Sequence, residues 1–333
     1  MSRQRPLKLA LVGYGQAATL FFDAFAPEPE VQFRWVVGRL QEPADEFARQ
    51  RSIPRATTHL AEALDDASVD AVIVATPHAL HYPQALAALQ ADKHVVVEVP
   101  MTMDAAQARQ LVQEATARRL ALSVPHISRY LDVNLAARRL IQAGAIGPVY
   151  QFVYRRLWLQ RTVGHLFNRQ RSWTDTVSWH HAAHPIDLVM WLLDEPIACV
   201  GAALRHDPQS GSEVDLSANF VTPSGTLVTM AMSYNAHQDY LDTLIVGDRA
   251  VLEITGFSQL KQAGVTVVAP EEALQVQGRA YRRYAAAVAA GLRAEAPIPI
   301  SGAEILPVMD QLQTLHDKAA RLAQTPPVQE SVR

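Results

Sequence analysis

The first eighteen residues constrain this chain more than any other stretch. Leu7-Lys8-Leu9-Ala10-Leu11-Val12 is a short apolar run suited to a buried parallel strand. Gly13-Tyr14-Gly15-Gln16-Ala17-Ala18 follows, and an apolar helical pattern then continues through Phe25. The spacing G-x-G-x-x-A is the dinucleotide-binding fingerprint with alanine in third place. Gly13 permits the tight turn, Gly15 lets backbone approach a pyrophosphate, and Ala18 keeps the helix close to the sheet. The first N–H groups of that helix offer hydrogen bonds and partial positive charge to phosphates. Two glycines in a turn are common, so the motif gains its meaning from lying between a strand and a helix. Gly13, Tyr14, Gly15, Gln16 and Ala17 are therefore the first cofactor-binding candidates.

Phe33-Arg34-Trp35-Val36-Val37 reads as the second strand. A site specific for NAD places Asp or Glu near its end, to bond the ribose 2′-hydroxyl. Gly38-Arg39 stands there instead. A guanidinium matches a phosphate in charge and fork geometry, so NADP is expected, with NAD the alternative. The plainer reading is that Arg39 is a solvated loop residue.

Two further buried strands follow. Asp70-Ala71-Val72-Ile73-Val74-Ala75 runs into Thr76-Pro77-His78-Ala79-Leu80-His81, and Lys93-His94-Val95-Val96-Val97 runs into Glu98-Val99-Pro100. Residues 82–91 between them have a helical pattern. Strands alternating with helices predict an α/β fold with a doubly wound parallel sheet. Ligands of such sheets lie beyond the carboxyl ends of the strands, so Thr76, Pro77, His78, His81, Glu98, Val99 and Pro100 join the cofactor-binding candidates.

A length of 333 residues suggests two domains, placed at 1–125 (dinucleotide-binding) and 126–333. In the second, 131–143 reads as a helix ending at Gly144. Segments 215–221, 227–234, 241–246 and 250–254 alternate like antiparallel strands, and 281–292 and 304–323 read as closing helices. Such an open sheet packs on helices or on another copy of the chain, which predicts a homodimer or homotetramer. Apolar residues make up 49 % and charged residues 19 %, the net charge is −3, and Cys199 is the one cysteine. That balance argues against nucleic-acid and membrane partners, and a lone cysteine suits a reducing, cytoplasmic compartment.

The chemistry is expected at Ser178-Trp179-His180-His181-Ala182-Ala183-His184-Pro185-Ile186-Asp187. On a helix, His180 and His184 share a face, as do His184 and Asp187, while His181 points about 100° away from His180. A lone histidine here would be a satisfied core residue, and three together are harder to dismiss so. The spacing of His180 and His184 also suits zinc, but no neighbouring Cys or Glu completes a set, and no metal is expected. Upstream, 151–174 carries Arg155, Arg156, Arg161, Arg169 and Arg171 with no acidic residue, and Trp158, Phe167 and Trp173 interleaved. Guanidinium forks suit substrate carboxylates, and a solvated strand face is the alternative.

Gly13-Tyr14-Gly15, Thr76-Pro77-His78 with His81, Lys93-His94-Val95 leading to Glu98-Val99-Pro100, and Gly144-Ala145-Ile146-Gly147-Pro148-Val149 together resemble the Gfo/Idh/MocA family of NAD(P)-dependent oxidoreductases. The resemblance covers nearly the whole chain. It implies an N-terminal Rossmann domain and a C-terminal α+β domain on a mostly antiparallel open sheet, used for substrate binding and oligomerisation. That family has Glu-Lys-Pro, whose lysine assists proton transfer, where this chain has Val99. The family pattern puts a histidine at 184, making His184 the expected base, and an aspartate where this chain has His180. His180 is then a relay or substrate contact, and Asp187 an orienting group.

Within the family, Arg171-Ser172-Trp173-Thr174-Asp175 and Trp179-His180-His181-Ala182-Ala183-His184 are similar to the 4-carboxy-2-hydroxymuconate-6-semialdehyde dehydrogenases of aromatic degradation. That group oxidises a cyclic hemiacetal to 2-pyrone-4,6-dicarboxylate with NADP. The resemblance implies an anionic small-molecule substrate, with Arg129, Arg161, Arg171, Trp173 and His181 as its candidate contacts. A sugar or inositol dehydrogenase and a non-catalytic NADP-binding regulator are the alternatives.

Overall fold

The computed structural model describes residues 5–160, 165–166, 169–170, 176–208 and 211–324. In chain order, the first part holds β1 (Leu7–Val12), α1 (Gln16–Phe25), β2 (Val31–Val37), α2 (Gln41–Gln50), β3 (Arg55–Thr57) and α3 (Leu60–Leu64). It continues with β4 (Ala71–Val74), α4 (His81–Gln90), β5 (His94–Val97), α5 (Ala105–Arg118), β6 (Leu122–Ser123) and α6 (Asp132–Gln142). Next come β7 (Val149–Leu159), a short ladder of β8 (His165–Leu166) with β9 (Arg169–Gln170), and α7 (Ala183–Leu193). The rest comprises β10 (Ala198–His206), β11 (Glu213–Val221), β12 (Leu227–Ser233), β13 (Asn235–Gly247), β14 (Val251–Thr255), β15 (Gln259–Gln262), β16 (Val265–Val268), α8 (Ala273–Leu292) and α9 (Gly302–Gln324).

These elements divide into two compact units, Met1–Leu135 with Leu166–Arg169 and Glu271–Met309, and Ala136–His165 with Gln170–Pro270 and Asp310–Arg333. In the first, six strands pair in parallel in the order β3-β2-β1-β4-β5-β6. The order turns back between β1 and β4, which opens a crevice at their carboxyl ends. All four residues of β4 are buried, as expected of a strand covered on both faces. The expected doubly wound sheet is therefore present.

The units divide the chain differently from a single boundary at 125. Helix α8 belongs with the first unit, where Tyr281 meets Phe21 of α1 edge-on at 5.8 Å. Tyr284 hydrogen-bonds Ser123 of β6 at 2.8 Å, and Ser301 bridges to Ser123. Hydrophobic pattern marks a helix but not the surface to which it returns.

The second unit is built on an eight-stranded sheet in the order β10-β11-β12-β7-β13-β14-β15-β16. One pair, β12 with β7, is parallel, and the remainder are antiparallel. Val214, Leu216, Ala218 and Phe220 of β11 and Val228, Met230 and Met232 of β12 are buried, while residues between them are more exposed. That period of two is the signal the sequence carried for these strands.

The histidine-rich stretch departs from a uniform α-helix. Val177–Ala182 forms a π-helical turn, and α7 starts at Ala183. Pro185 stands in the first turn of α7, where a missing N–H is tolerated. No helix among the described residues is long and apolar enough to cross a membrane.

Candidate active site

The turn after β1 is fixed by what glycine lacks. At Gly13, φ is +118° and a Cβ would lie 2.2 Å from the carbonyl oxygen of Ala75. Only glycine accepts both the angle and the contact. At Gly15, directly before α1, a Cβ would meet nothing within 4 Å. The N-cap residue of α1 makes no side-chain cap, which leaves its first N–H groups for a ligand such as a pyrophosphate. Ala18 is wholly buried beneath α1. The Tyr14 ring occupies the place of a side chain at Gly38, where a Cβ would stand 2.2 Å from Tyr14 Cε1. Gly38 therefore seats Tyr14, and the next residue, Arg39, is exposed. Ala17 is half-buried in the first turn.

Beyond β4, Thr76 donates from its hydroxyl to Gln84 Oε1 at 2.6 Å, and Pro77 leads into a short helical turn with half-buried His78. His81 lies deeper than the expected cofactor-facing position. It is wholly buried, with Nδ1 2.7 Å from the Pro100 carbonyl and Nε2 2.8 Å from the Thr76 carbonyl. It ties the loop after β4 to the loop after β5. Val99 and Pro100 are also buried. Val99 adds apolar packing where the resemblance expects lysine.

Glu98 is partly buried, and its Oε2 is enclosed without a hydrogen-bond partner. Burial pushes this carboxyl up to about 8 from the ordinary 4.5, against a hydrogen bond from the Val99 backbone. Burial, and secondarily the Glu98 charge, raises the Tyr281 hydroxyl well above its ordinary value. Gln16 likewise has an enclosed Oε1 with no partner. Enclosed acceptors call for donors, and ribose hydroxyls are such donors. The glycine turn, the open helix N-terminus and these two acceptors fit a dinucleotide.

Arg129, a proposed substrate contact, is buried in the first unit and forms an ion pair with Glu304. Its neighbour His126 is pushed down to about 3 by burial and then by the Arg129 charge. Arg161, Arg171 and Trp173 lie outside the described residues.

In the second unit the three expected histidines do gather. The rings of His180 and His181 are 4.3 Å apart, and those of His180 and His184 are 5.8 Å apart. All three are half-buried, whereas Asp187 is fully buried in α7. The structure adds Tyr234, whose hydroxyl is 2.6 Å from His181 Nδ1, and Trp158, 4.7 Å from the His181 ring. At the start of the π turn, fully buried Ser178 donates its hydroxyl hydrogen to Glu213 and lies 2.7 Å from His316 Nε2. Trp179 stacks on His316 at 4.9 Å. Tyr234, Glu213 and His316 come from distant parts of the chain, and no local spacing announces them. Trp158 lay inside the arginine-aromatic stretch, a signal that pointed to the region but not to its role.

The arginines of that stretch that are described have acidic partners. Arg155 binds Asp242 at 2.6 Å, and Arg156 pairs with Asp239 while lying 4.5 Å over the Trp158 ring. Among the described residues, no group of three or more His, Cys, Asp or Glu is arranged to hold a metal.

Two family descriptions match this architecture. An oxidoreductase family with an NAD-binding Rossmann fold matches residues 7–126, and the GFO/IDH/MocA C-terminal domain matches residues 134–253. The chain belongs to the Gfo/Idh/MocA oxidoreductase family. Members of this family similar to it include the 4-carboxy-2-hydroxymuconate-6-semialdehyde dehydrogenase of Sphingobium sp. (strain NBRC 103272 / SYK-6). The two are 29% identical over 229 residues, 69% of this chain and 72% of that protein. A scyllo-inositol 2-dehydrogenase (NADP(+)) of Bacillus subtilis (strain 168) is 32% identical over 154 residues, 45% of this chain and 42% of that one. Among solved folds, a levoglucosan dehydrogenase in complex with NADH and levoglucosan superposes with a TM-score of 0.84 at 20% identity, covering 95% of this chain and 98% of that one. The chain is thus an oxidoreductase of a family that acts on alcohol or hemiacetal groups.

The Glu98 carboxyl yields a pH prediction. It binds its proton more tightly in the folded state, so its contribution to stability is full below about 4.5 and is lost as pH rises toward about 8. Glu98→Gln should remove that loss. Urea unfolding midpoints of the cofactor-free protein from acid to mildly alkaline pH should fall less steeply in the variant than in wild type.

Proposed function

We propose that this oxidoreductase is an NADP-dependent dehydrogenase of an anionic, cyclic substrate bearing a hydroxyl on the reacting carbon. The hemiacetal of 4-carboxy-2-hydroxymuconate-6-semialdehyde is the first compound to test. The cluster of three imidazoles carries the reading, because an imidazole can take a proton and the Val99 side chain cannot. Similarity to a semialdehyde dehydrogenase supports the substrate class.

Gly13, Gly15 and the start of α1 would hold the pyrophosphate, with Gln16 and Glu98 as acceptors for ribose hydroxyls and Arg39 for a 2′-phosphate. When bound, the nicotinamide supplies the acceptor for the hydride that leaves the substrate carbon with its bonding pair. His184 takes the hydroxyl proton, a task suited to an imidazole near neutral pH. His180 relays that proton or contacts substrate, and Asp187 steadies α7 beneath them. Arg161 and Arg171 are the proposed carboxylate contacts, since Arg129 already holds Glu304. A neutral polyol is the second reading, favoured by similarity to the inositol dehydrogenase.

The open face of the eight-stranded sheet includes Val200 and Leu227, each 56% exposed. We place a homodimer or homotetramer contact there. Light scattering should give a multiple of the 36.6 kDa chain mass, and a monomer would refute that contact.

Absorbance of reduced cofactor, followed with ring-cleavage semialdehydes, hydroxy acids and inositols, tests the reading directly. NADP should be reduced faster than NAD with the semialdehyde. Arg39→Asp should weaken NADP and leave NAD unchanged or improved, because a carboxylate repels the 2′-phosphate and bonds a hydroxyl. A wild-type preference for NAD would refute the role of Arg39, and NADP binding without reduction of any compound would favour a regulator.

His184→Ala should keep the fold and NADP affinity, read by fluorescence titration. Its kcat should drop about 10²–10⁴-fold, the usual worth of a positioned acid–base group. Wild-type turnover in that variant would move the base to another residue.

A further inference from the structure

Gly38 follows directly on β2, at the strand end where a site specific for NAD carries its carboxylate. Its backbone does not call for glycine, because its φ lies outside the left-handed region that Gly13 occupies. What excludes a side chain there is space. A Cβ at residue 38 would stand 2.2 Å from Cε1 and 2.3 Å from Cδ1 of Tyr14, and 3.1 Å from Cβ of Ala44 on α2. A shift of a few tenths of an ångström relieves the Ala44 contact, whereas the two ring contacts overlap outright. The backbones on either side are bonded and do not drift apart. The Gly13 N–H donates to the Val37 carbonyl at 2.8 Å, which ties the turn before Tyr14 to the end of β2. The Gly38 N–H donates to the carbonyl of buried Thr57 at 2.9 Å, which ties Gly38 to β3. A side chain at residue 38 is therefore admitted only if the Tyr14 ring leaves its seat.

We propose that Tyr14 is a specificity-determining residue for the cofactor: its ring fills the place of a side chain at residue 38 and so bars a carboxylate from the end of β2. The first position past β2 that is open to a side chain is then 39, where Arg39 is exposed. Specificity is a difference between two affinities, and each of these side chains acts on a different one. Arg39 adds attraction for a 2′-phosphate. The ring removes the acceptor that the 2′-hydroxyl of NAD would bond, since an aromatic carbon edge accepts nothing from a hydroxyl. A carboxylate at residue 38 would reverse both terms, bonding the hydroxyl and repelling the phosphate. The selection of cofactor is thus shared between the loop after β2 and the glycine turn after β1, where the residue between the two glycines has a task of its own.

The direction of selection rests on the NADP reading above, and the exclusion of a side chain at residue 38 does not. Wild type, Gly38→Asp, Tyr14→Ala and the double variant form a cycle that separates the two. Fluorescence titration with NAD and with NADP reads affinity, and urea unfolding of the cofactor-free proteins reads the clash. With Tyr14 in place, Gly38→Asp should lower the urea midpoint and bind NAD no better than wild type does. In the Tyr14→Ala background the same change should tighten NAD about 10-fold and weaken NADP at least as much. An equal gain for NAD in both backgrounds, or a gain in neither, overturns the proposal. Gly38→Ala repeats the steric half with one methyl group and no charge, and decides it where the aspartate variants do not fold. Its loss in urea midpoint should be largely recovered when Tyr14→Ala is added. The same loss with and without the ring places the obstacle at Ala44 and overturns the proposal. A wild-type preference for NAD refutes the NADP reading, while the dependence of Gly38→Asp on residue 14 still decides the role of the ring.

Discussion

The nucleotide-binding half of this protein is built around an atom that is absent. A Cβ at residue 13 would stand 2.2 Å from the Ala75 carbonyl oxygen, so β1 can turn into α1 beside the end of β4 only through glycine. That contact sets where α1 begins and hence where its N–H groups point. It also brings the ends of β1 and β4 close at the place where strand order reverses. His81 then links the loops that follow β4 and β5, with its two ring nitrogens against the Pro100 and Thr76 carbonyls. Gly13 and His81 thus shape the loops that carry Gln16 and Glu98.

The histidine cluster depends on a different constraint, the packing of the π turn before α7, which is held from two directions. Ser178 is clasped by Glu213 and His316, and His181 by Tyr234. Burial lowers His316, while the Glu213 charge works against that shift. A buried hydroxyl with partners on β11 and α9 is costly to disturb, since each unmatched polar group left behind costs about 1–3 kcal/mol. This gives the turn a rigidity that α-helical propensity does not supply.

Charge is where sequence reading and structure part most clearly. A run of arginines without acids predicts waiting anion sites, yet Arg155 and Arg156 of that run pair with Asp242 and Asp239, 87 and 83 residues away, and Arg129 upstream pairs with Glu304, 175 residues away. Exposed pairs of the Arg155 kind add only about 0–1 kcal/mol, so their meaning is that these guanidinium groups already have carboxylates. Local composition records the cations and says nothing about acids brought in by a distant strand.

By itself the sequence determined the class of the two sheets, the glycine turn, the position of Arg39 after β2 and the grouping of His180, His181 and His184. Each is a short-range property, set by side-chain periods of two or 3.6, by backbone angles or by chain neighbours. Tertiary structure decided the rest. It returned α8 to α1, turned His81 inward, paired the arginines, and placed Tyr234 and Trp158 against His181 and His316 against Ser178. Those contacts join residues many tens of positions apart. They follow from which faces of the sheets and helices meet, and no pattern along the chain encodes that meeting.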